Sequence, residues 1–216
     1  MTPMKEDYLK IIFELGGVQK KISNKQIALG LGVAAGSVTE MIAKLVAEKL
    51  VIHEPYAGIS LTKQGLRFAT QLVRKHRLWE SFLVQKLNYG LQDVHPEAEL
   101  LEHETSQRLA NALDTFLEHP KYCPHGGVIP DSDGKYNDIS HLSLADVKDD
   151  EKVTVERFID NHELLVYLSG TGLHINDKIK GLHHDPFEGP IQVIRMIDQA
   201  KIDISYKAAH NIFVHY

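Results

Sequence analysis

Ser23–Lys49, SNKQIALGLGVAAGSVTEMIAKLVAEK, is the stretch that decides the fold. Ser23 followed three positions later by Gln26 is a capping-box pattern, in which each side chain accepts from the other's backbone N–H at a helix start. Ile27, Ala28 and Leu31 then form one inner face. The run Gly30–Gly36 (GLGVAAG) makes a tight connection, and a further helix is expected over Ser37–Lys49, with Val38, Met41, Ile42, Leu45 and Val46 apolar. Two short helices joined by a glycine-bearing turn are the helix-turn-helix pattern.

On either side the pattern is extended. Upstream, KEDYLKIIFEL (5–15) spaces Tyr8, Leu9, Ile11, Ile12 and Leu15 as a helix, which Gly16 and Gly17 stop. Downstream, LVIHEPYAGISLTKQG (50–65) reads as two short strands around a Pro55–Gly58 turn. A helix-turn-helix followed at once by such a hairpin is a winged helix. A generic three-helix bundle shares the periodicity, but the order of cap, turn and wing favours the DNA-binding reading.

A long amphipathic helix is expected from Thr62 to about Lys86, and a second from His95–Pro96 to about His119, with Pro96 at the favoured first helical position. Such a pair is a natural dimer-forming element. Residues 120–150 are rich in Pro, Gly, Asp and Ser and read as a long connection. Beyond it, KVTVERFID, HELLVYLSGTG, INDKIKGL, PIQVIRMID and IDISY alternate short strands with one short helix, a small β-barrel-like module. The fold class is therefore mainly α with small β: a winged helix-turn-helix over 1–71, a helical dimerisation and metal-binding domain with linker over 72–140, and a C-terminal module over 141–216. Its HHDPFEG (183–189) reads as a polar turn rather than a metal motif.

Charge and composition narrow the partners. The chain has 216 residues and a net charge of −5, yet residues 1–75 hold 11 Lys/Arg against 6 Asp/Glu, leaving 13 against 23 for the rest. A basic third on an acidic body suits a protein that meets phosphate at one end only. One cysteine, Cys123, excludes an intramolecular disulfide, and a reducing cytoplasm is the expected location. No apolar run approaches the roughly 18 residues of a membrane span, so no membrane partner is expected.

Ligand-type side chains concentrate in two places. Glu99, Glu102 and His103 stand at i, i+3 and i+4, so all three leave one helix face, and two carboxylates with an imidazole suit a divalent cation. The same run on a solvated helix is also ordinary surface. His76 and Glu80 form an i, i+4 pair on the preceding helix, and an antiparallel partner helix would bring His95 to them. In the helix-turn-helix, Lys25, Ala35, Ser37, Thr39, Glu40 and Lys44 lie at or near the groove-facing edge, with few side chains able to make bidentate base contacts. Part of the sequence preference is therefore expected to come from DNA shape.

The chain resembles the diphtheria toxin repressor and manganese transport repressor family of metalloregulators over essentially its full length. The resemblance is carried by EDYLKIIFEL, the helix-turn-helix with its wing, LTKQGLRFATQLVRKHRLWESFL and VHPEAELLEHETSQRL. The tail looks like the SH3-like module of the longer members. The resemblance implies a homodimer on a double-stranded DNA operator, with no small-molecule substrate, repressing metal-importer genes. It also implies two metal sites. Asp7, Glu99, Glu102 and His103 would form the primary one; His76, Glu80, His95 and Asp160 would form the second, with Glu163 a weaker candidate. Cys123 and His125, in a C-P-H run on the connection, are further candidates beside Glu80. Where the iron-responsive branch has Met and Cys, this chain has Asp7 and Glu99, and hard oxygen donors favour Mn²⁺. Fe²⁺, Co²⁺, Cd²⁺ or Zn²⁺ would also bind such a site. Two other classes compete: a metal-dependent hydrolase, against which stands the absence of H-E-x-x-H, G-x-S-x-G and a phosphate loop, and a winged-helix regulator of an organic ligand.

Overall fold

The computed structural model describes residues 1–91, 93–136, 140–159 and 161–216. The chain forms two compact units, one of Met1–Phe82, Ala98–Lys121 and Ile129–Asn137, the other of Leu83–Glu97, Tyr122–Val128 and Asp138–Tyr216. No single helix among the described residues is long and apolar enough to cross a membrane.

In the first unit α1 (Pro3–Glu14) starts with proline in its first turn, where a missing N–H costs nothing. Helix α2 (Asn24–Leu31) carries the full Ser23–Gln26 capping box and ends on Gly32 at φ 67°, a left-handed conformation that a residue with a Cβ adopts at a cost. Helix α3 spans Ala35–Ala47, two positions earlier than expected. Ala34, in extended backbone, is its N-cap without a side-chain bond, and the good helix former Ala35 extends the helix ahead of Ser37. The wing is β1 (Val51–Glu54) antiparallel to β2 (Gly58–Leu61), with Val51 opposite Leu61. Ile22 and Ile59 exchange two backbone hydrogen bonds of 2.8 Å, fastening the lead-in to α2 onto the wing. Leu9, Ile12, Ile22, Ile27, Val38, Leu45 and Ile59 are fully buried and form the shared core.

Helix α4 (Lys63–Leu87) matches expectation to within a residue. Its Gly65 is required by contact: a Cβ there would lie 1.9 Å from the Leu50 carbonyl oxygen. The second long helix does not run unbroken to His119. It is α5 (Val94–Glu104) followed by α6 (Gln107–Phe116), with Pro96 third in α5 rather than first. The break has two causes. The Thr105 hydroxyl accepts from Trp79 Nε1 at 2.7 Å and lies 2.6 Å from the Leu101 carbonyl, while Ser106 caps α6 by accepting from Leu109 N–H. Amphipathic periodicity alone reads through such a break, because α6 resumes the apolar stripe with Ala110 and Leu113 buried.

In the second unit six antiparallel strands run in the order β3-β8-β4-β5-β6-β7. They are β3 (Leu142–Ser143), β4 (Lys152–Phe158), β5 (Lys178–His184), β6 (Ile191–Arg195), β7 (Lys201–Ile204) and β8 (Ile212–His215), with α7 (His162–Thr171) and α8 (Tyr206–Ala209). Register shifts interrupt the ladders between Val155 and Arg157 and between Gly181 and His183, and bulges of this kind bend a sheet. The expected single helix is therefore two, and the connection over 120–150 contains β3, a 3₁₀ turn and the Tyr122–Val128 bridge. His183 and His184 end β5, each beside an aspartate: Asp185 at 3.3 Å and Asp149 at 3.2 Å.

Candidate metal centre and nucleic-acid face

Asp7 on α1 meets Glu102 and His103 on α5, and one ligand atom from each lies within 4.8 Å of the others. His103 Nε2 is 3.2 Å from Asp7 Oδ1 and 3.5 Å from Glu102 Oε1. The 3.2 Å contact lacks hydrogen-bond alignment, so buried Asp7 Oδ1 has no hydrogen-bond partner among the described residues. Burial raises the Asp7 carboxyl above its ordinary value; Lys10 and His103 work against that rise, while Glu102 and Glu99 add to it. A buried oxygen without a donor, a second carboxylate and an imidazole are a donor set that fits a divalent cation. Glu99 stands at the rim, 47% exposed, with Oε1 3.9 Å from Lys10 Nζ.

Two cationic side chains sit against the same carboxylate. Lys10, one helical turn beyond Asp7 and 6% exposed, places Nζ 2.9 and 3.1 Å from the two oxygens of Glu102. His76 on α4 engages Glu102 through Nδ1 and lies 3.2 Å from Glu80 Oε1 through Nε2. Burial alone would raise Glu102, but His76 and Lys10 outweigh it and hold the carboxyl down at about 2. For His76, burial and Lys10 favour the neutral ring, yet the carboxylates of Glu102 and Glu80 push it up to about 10. Lys10 likewise loses to burial less than it gains from Glu102, Glu14 and Glu99, and its ammonium is held charged. His76, expected in the second set, therefore contacts Glu102, expected in the first.

The remaining expected ligands are placed as follows. His95 is in the first turn of α5; Cys123 and His125 are buried in the second unit, where His125 Nε2 lies 3.0 Å from the Leu91 carbonyl. Glu163 is in the first turn of α7, 85% exposed and 3.9 Å from Lys207. Asp160 lies outside the described residues. Sequence reasoning missed two neighbours of the cluster, Glu6 and Lys10. Lys10 is i+3 from Asp7 and so on its helix face, a legible signal, but its partner lies 92 positions away.

On α3 the inner face, Val38, Met41, Ile42 and Leu45, is buried, and Ala35, Ser37, Thr39, Glu40 and Lys44 are exposed. Lys25 on α2 is also exposed. Thr39 Oγ1 is 3.2 Å from the Ala35 carbonyl and accepts from Asn24 Nδ2 at 3.2 Å, so its hydroxyl is held before any DNA arrives. A Cβ on Gly36 would meet nothing within 4 Å, which leaves this face low and open.

Three family descriptions cover most of the chain. Residues 1–59 match the iron dependent repressor N-terminal DNA binding domain, 62–131 the iron dependent repressor metal binding and dimerisation domain, and 142–216 the FeoA domain. The HTH-type transcriptional regulator MntR of Listeria welshimeri is 32% identical over 123 residues, 55% of this chain and 86% of that protein. A probable metal transport system membrane protein of Chlamydia trachomatis is 46% identical over 71 residues, and the chain spans 16% of its length. Among solved structures, the manganese regulator SloR is 41% identical with TM-score 0.81, covering 100% of this chain and 99% of that one. ScaR with bound Cd²⁺ is 40% identical with TM-score 0.78, covering 98% of each chain. Matched by these three descriptions and, over its whole length, by the SloR structure, the chain belongs to the diphtheria toxin repressor and manganese transport repressor family of metal-dependent transcription repressors.

Proposed function

We propose that this chain is a manganese-responsive repressor, without catalytic activity, that binds a palindromic operator as a cytoplasmic homodimer and controls metal-uptake genes. The observation that carries the reading is the meeting of Asp7 with Glu102 and His103, which joins the first helix of the DNA-binding unit to the helix that follows α4. A divalent cation bound there would supply the positive charge that lets buried Glu102 and half-buried Asp7 stand side by side. Asp7 contributes the α1 ligand, Glu102 and His103 the α5 ligands, and Glu99 the rim oxygen. Lys10 and His76 hold Glu102 in place from the far side.

Without that charge Asp7 and Glu102 repel, and α1 is held less firmly against α5. Two α3 helices in a dimer must reach half-sites about one DNA turn, or a multiple, apart. Only the correctly spaced fraction of dimers then binds, and apparent affinity falls by that fraction. By linkage, operator DNA tightens cation binding equally. Ser37, Thr39 and Glu40, with Ala35, present the reading edge, and Lys25 and Lys44 contact phosphate. The second set, His76, Glu80 and His95 with Cys123, His125 and Asp160, is proposed to tune the first through His76. The domain limits 1–71, 72–140 and 141–216 complete the proposal. A segment similar to this chain within a metal transport membrane protein supports the link to transport. Mn²⁺ is preferred because the primary set is oxygen-rich, with Fe²⁺, Co²⁺, Cd²⁺ and Zn²⁺ as competitors.

The test is operator binding by fluorescence anisotropy with Mn²⁺ or excess EDTA, for wild type and Asp7→Ala. Wild type is expected to lose affinity in EDTA and Asp7→Ala to be weak in both. Equal affinity of wild type with and without Mn²⁺ sinks the reading.

A further inference from the structure

The two ring nitrogens of His103 face consecutive residues of α1. Nε2 faces Asp7 Oδ1 at 3.2 Å, and Nδ1 lies 2.7 Å from Glu6 Oε2. Neighbouring helical residues diverge by roughly 100°, so Glu6 and Asp7 straddle the imidazole instead of competing for one side of it. Glu6 is 23% exposed and His103 13%, so the bond is partly shielded from water. Lys5, the cation next to Glu6 in sequence, is paired with Glu48, and the contact to His103 is the one ion pair Glu6 makes among the described residues.

We propose that Glu6 is a positioning residue for the metal site: it accepts the Nδ1–H of His103, fixing the tautomer whose Nε2 lone pair faces Asp7 and Glu102. This rests on the metal-binding reading of Asp7, Glu102 and His103 and adds a residue that does not itself touch the ion. A carboxylate behind a ligating histidine sets the ring's orientation and raises its basicity, and loss of such a partner weakens metal binding by roughly 10–100-fold.

The experiment measures Mn²⁺ affinity of the full chain by calorimetry for wild type, Asp7→Ala, Glu6→Ala and Glu6→Gln, together with thermal unfolding of the metal-free proteins. Nitrogen-15 NMR of the His103 ring in the Zn²⁺ form supplies a readout that a purely structural role leaves unmoved. Glu6→Ala is expected to weaken Mn²⁺ by about 10–100-fold and to erase the single Nδ1–H tautomer, with metal-free unfolding near wild type. Glu6→Gln keeps an acceptor and is expected to recover the tautomer and most of the affinity. If Glu6→Ala binds Mn²⁺ as wild type does while Asp7→Ala does not, the role of Glu6 is overturned and the metal site stands. If Asp7→Ala also binds as wild type, both fall.

Discussion

The cluster around Glu102 and the outer face of α3 are built on opposite plans. Around Glu102 the central charges are buried and paired: Lys10 and His76 lie against it, with Glu80 behind His76, and half-buried Asp7 and His103 lie on the other side. On α3 the outer face carries exposed side chains, and among the described residues the Thr39 hydroxyl is tied only to the helix and to Asn24. The contrast teaches where stability and specificity reside. A buried charge network sets one geometry and penalises any missing member, whereas a solvated face can be altered with little effect on folding.

The sharpest way to break that contrast is Glu102→Ala, which leaves Lys10 and His76 buried without their main counter-charge. Metal-free stability should fall by roughly 3–5 kcal/mol, read as a lower urea midpoint. Leu45→Ala, on the inner face of α3 and fully buried, should cost about 3 kcal/mol, showing that the contrast lies between faces and not between helices. The same urea midpoint, equal to that of wild type, would contradict this.

Acidity probes the network without mutation. Glu102 is depressed to about 2, so its contribution is present above its unfolded value of 4.5 and is lost as pH falls from there through about 2. His76 is raised to about 10, so its contribution is complete below 6.5 and is lost as pH rises through about 10. Counting their shared contact once, metal-free stability should drop by about 2–3 kcal/mol at either extreme relative to pH 5–6. A urea midpoint unchanged between pH 6 and pH 10 would place His76 outside the network. Ser23→Ala removes the capping box and should cost about 1 kcal/mol. Lys44→Ala should leave unfolding untouched, weaken DNA of every sequence alike and reduce the salt slope by about one; a loss confined to some sequences would make Lys44 a base reader.

Local chemistry made the N-terminal half legible. The capping box and the Pro55–Gly58 turn are each written within a few adjacent positions, and α4 in one amphipathic run of 25 residues. The α5–α6 break was not, since Thr105 acts through Trp79, which is 26 positions earlier. In the second unit β3 is two residues long and β8 follows a four-residue helix, segments too short for periodicity to resolve. At the candidate site, Glu99, Glu102 and His103 are legible by spacing, but the 97-position reach from His103 to Glu6 has no local trace. Asp7 came only through family resemblance, for the same reason.

Glu102 and Glu80, on either side of the ring of His76, push it toward its protonated form. Coordination demands a bare nitrogen lone pair, so a cation taken up by the proposed second ligand set would discharge that proton into the buffer. The heat of the titration would then track the ionisation enthalpy of whichever buffer receives it, and acidifying the medium would loosen that ion's hold.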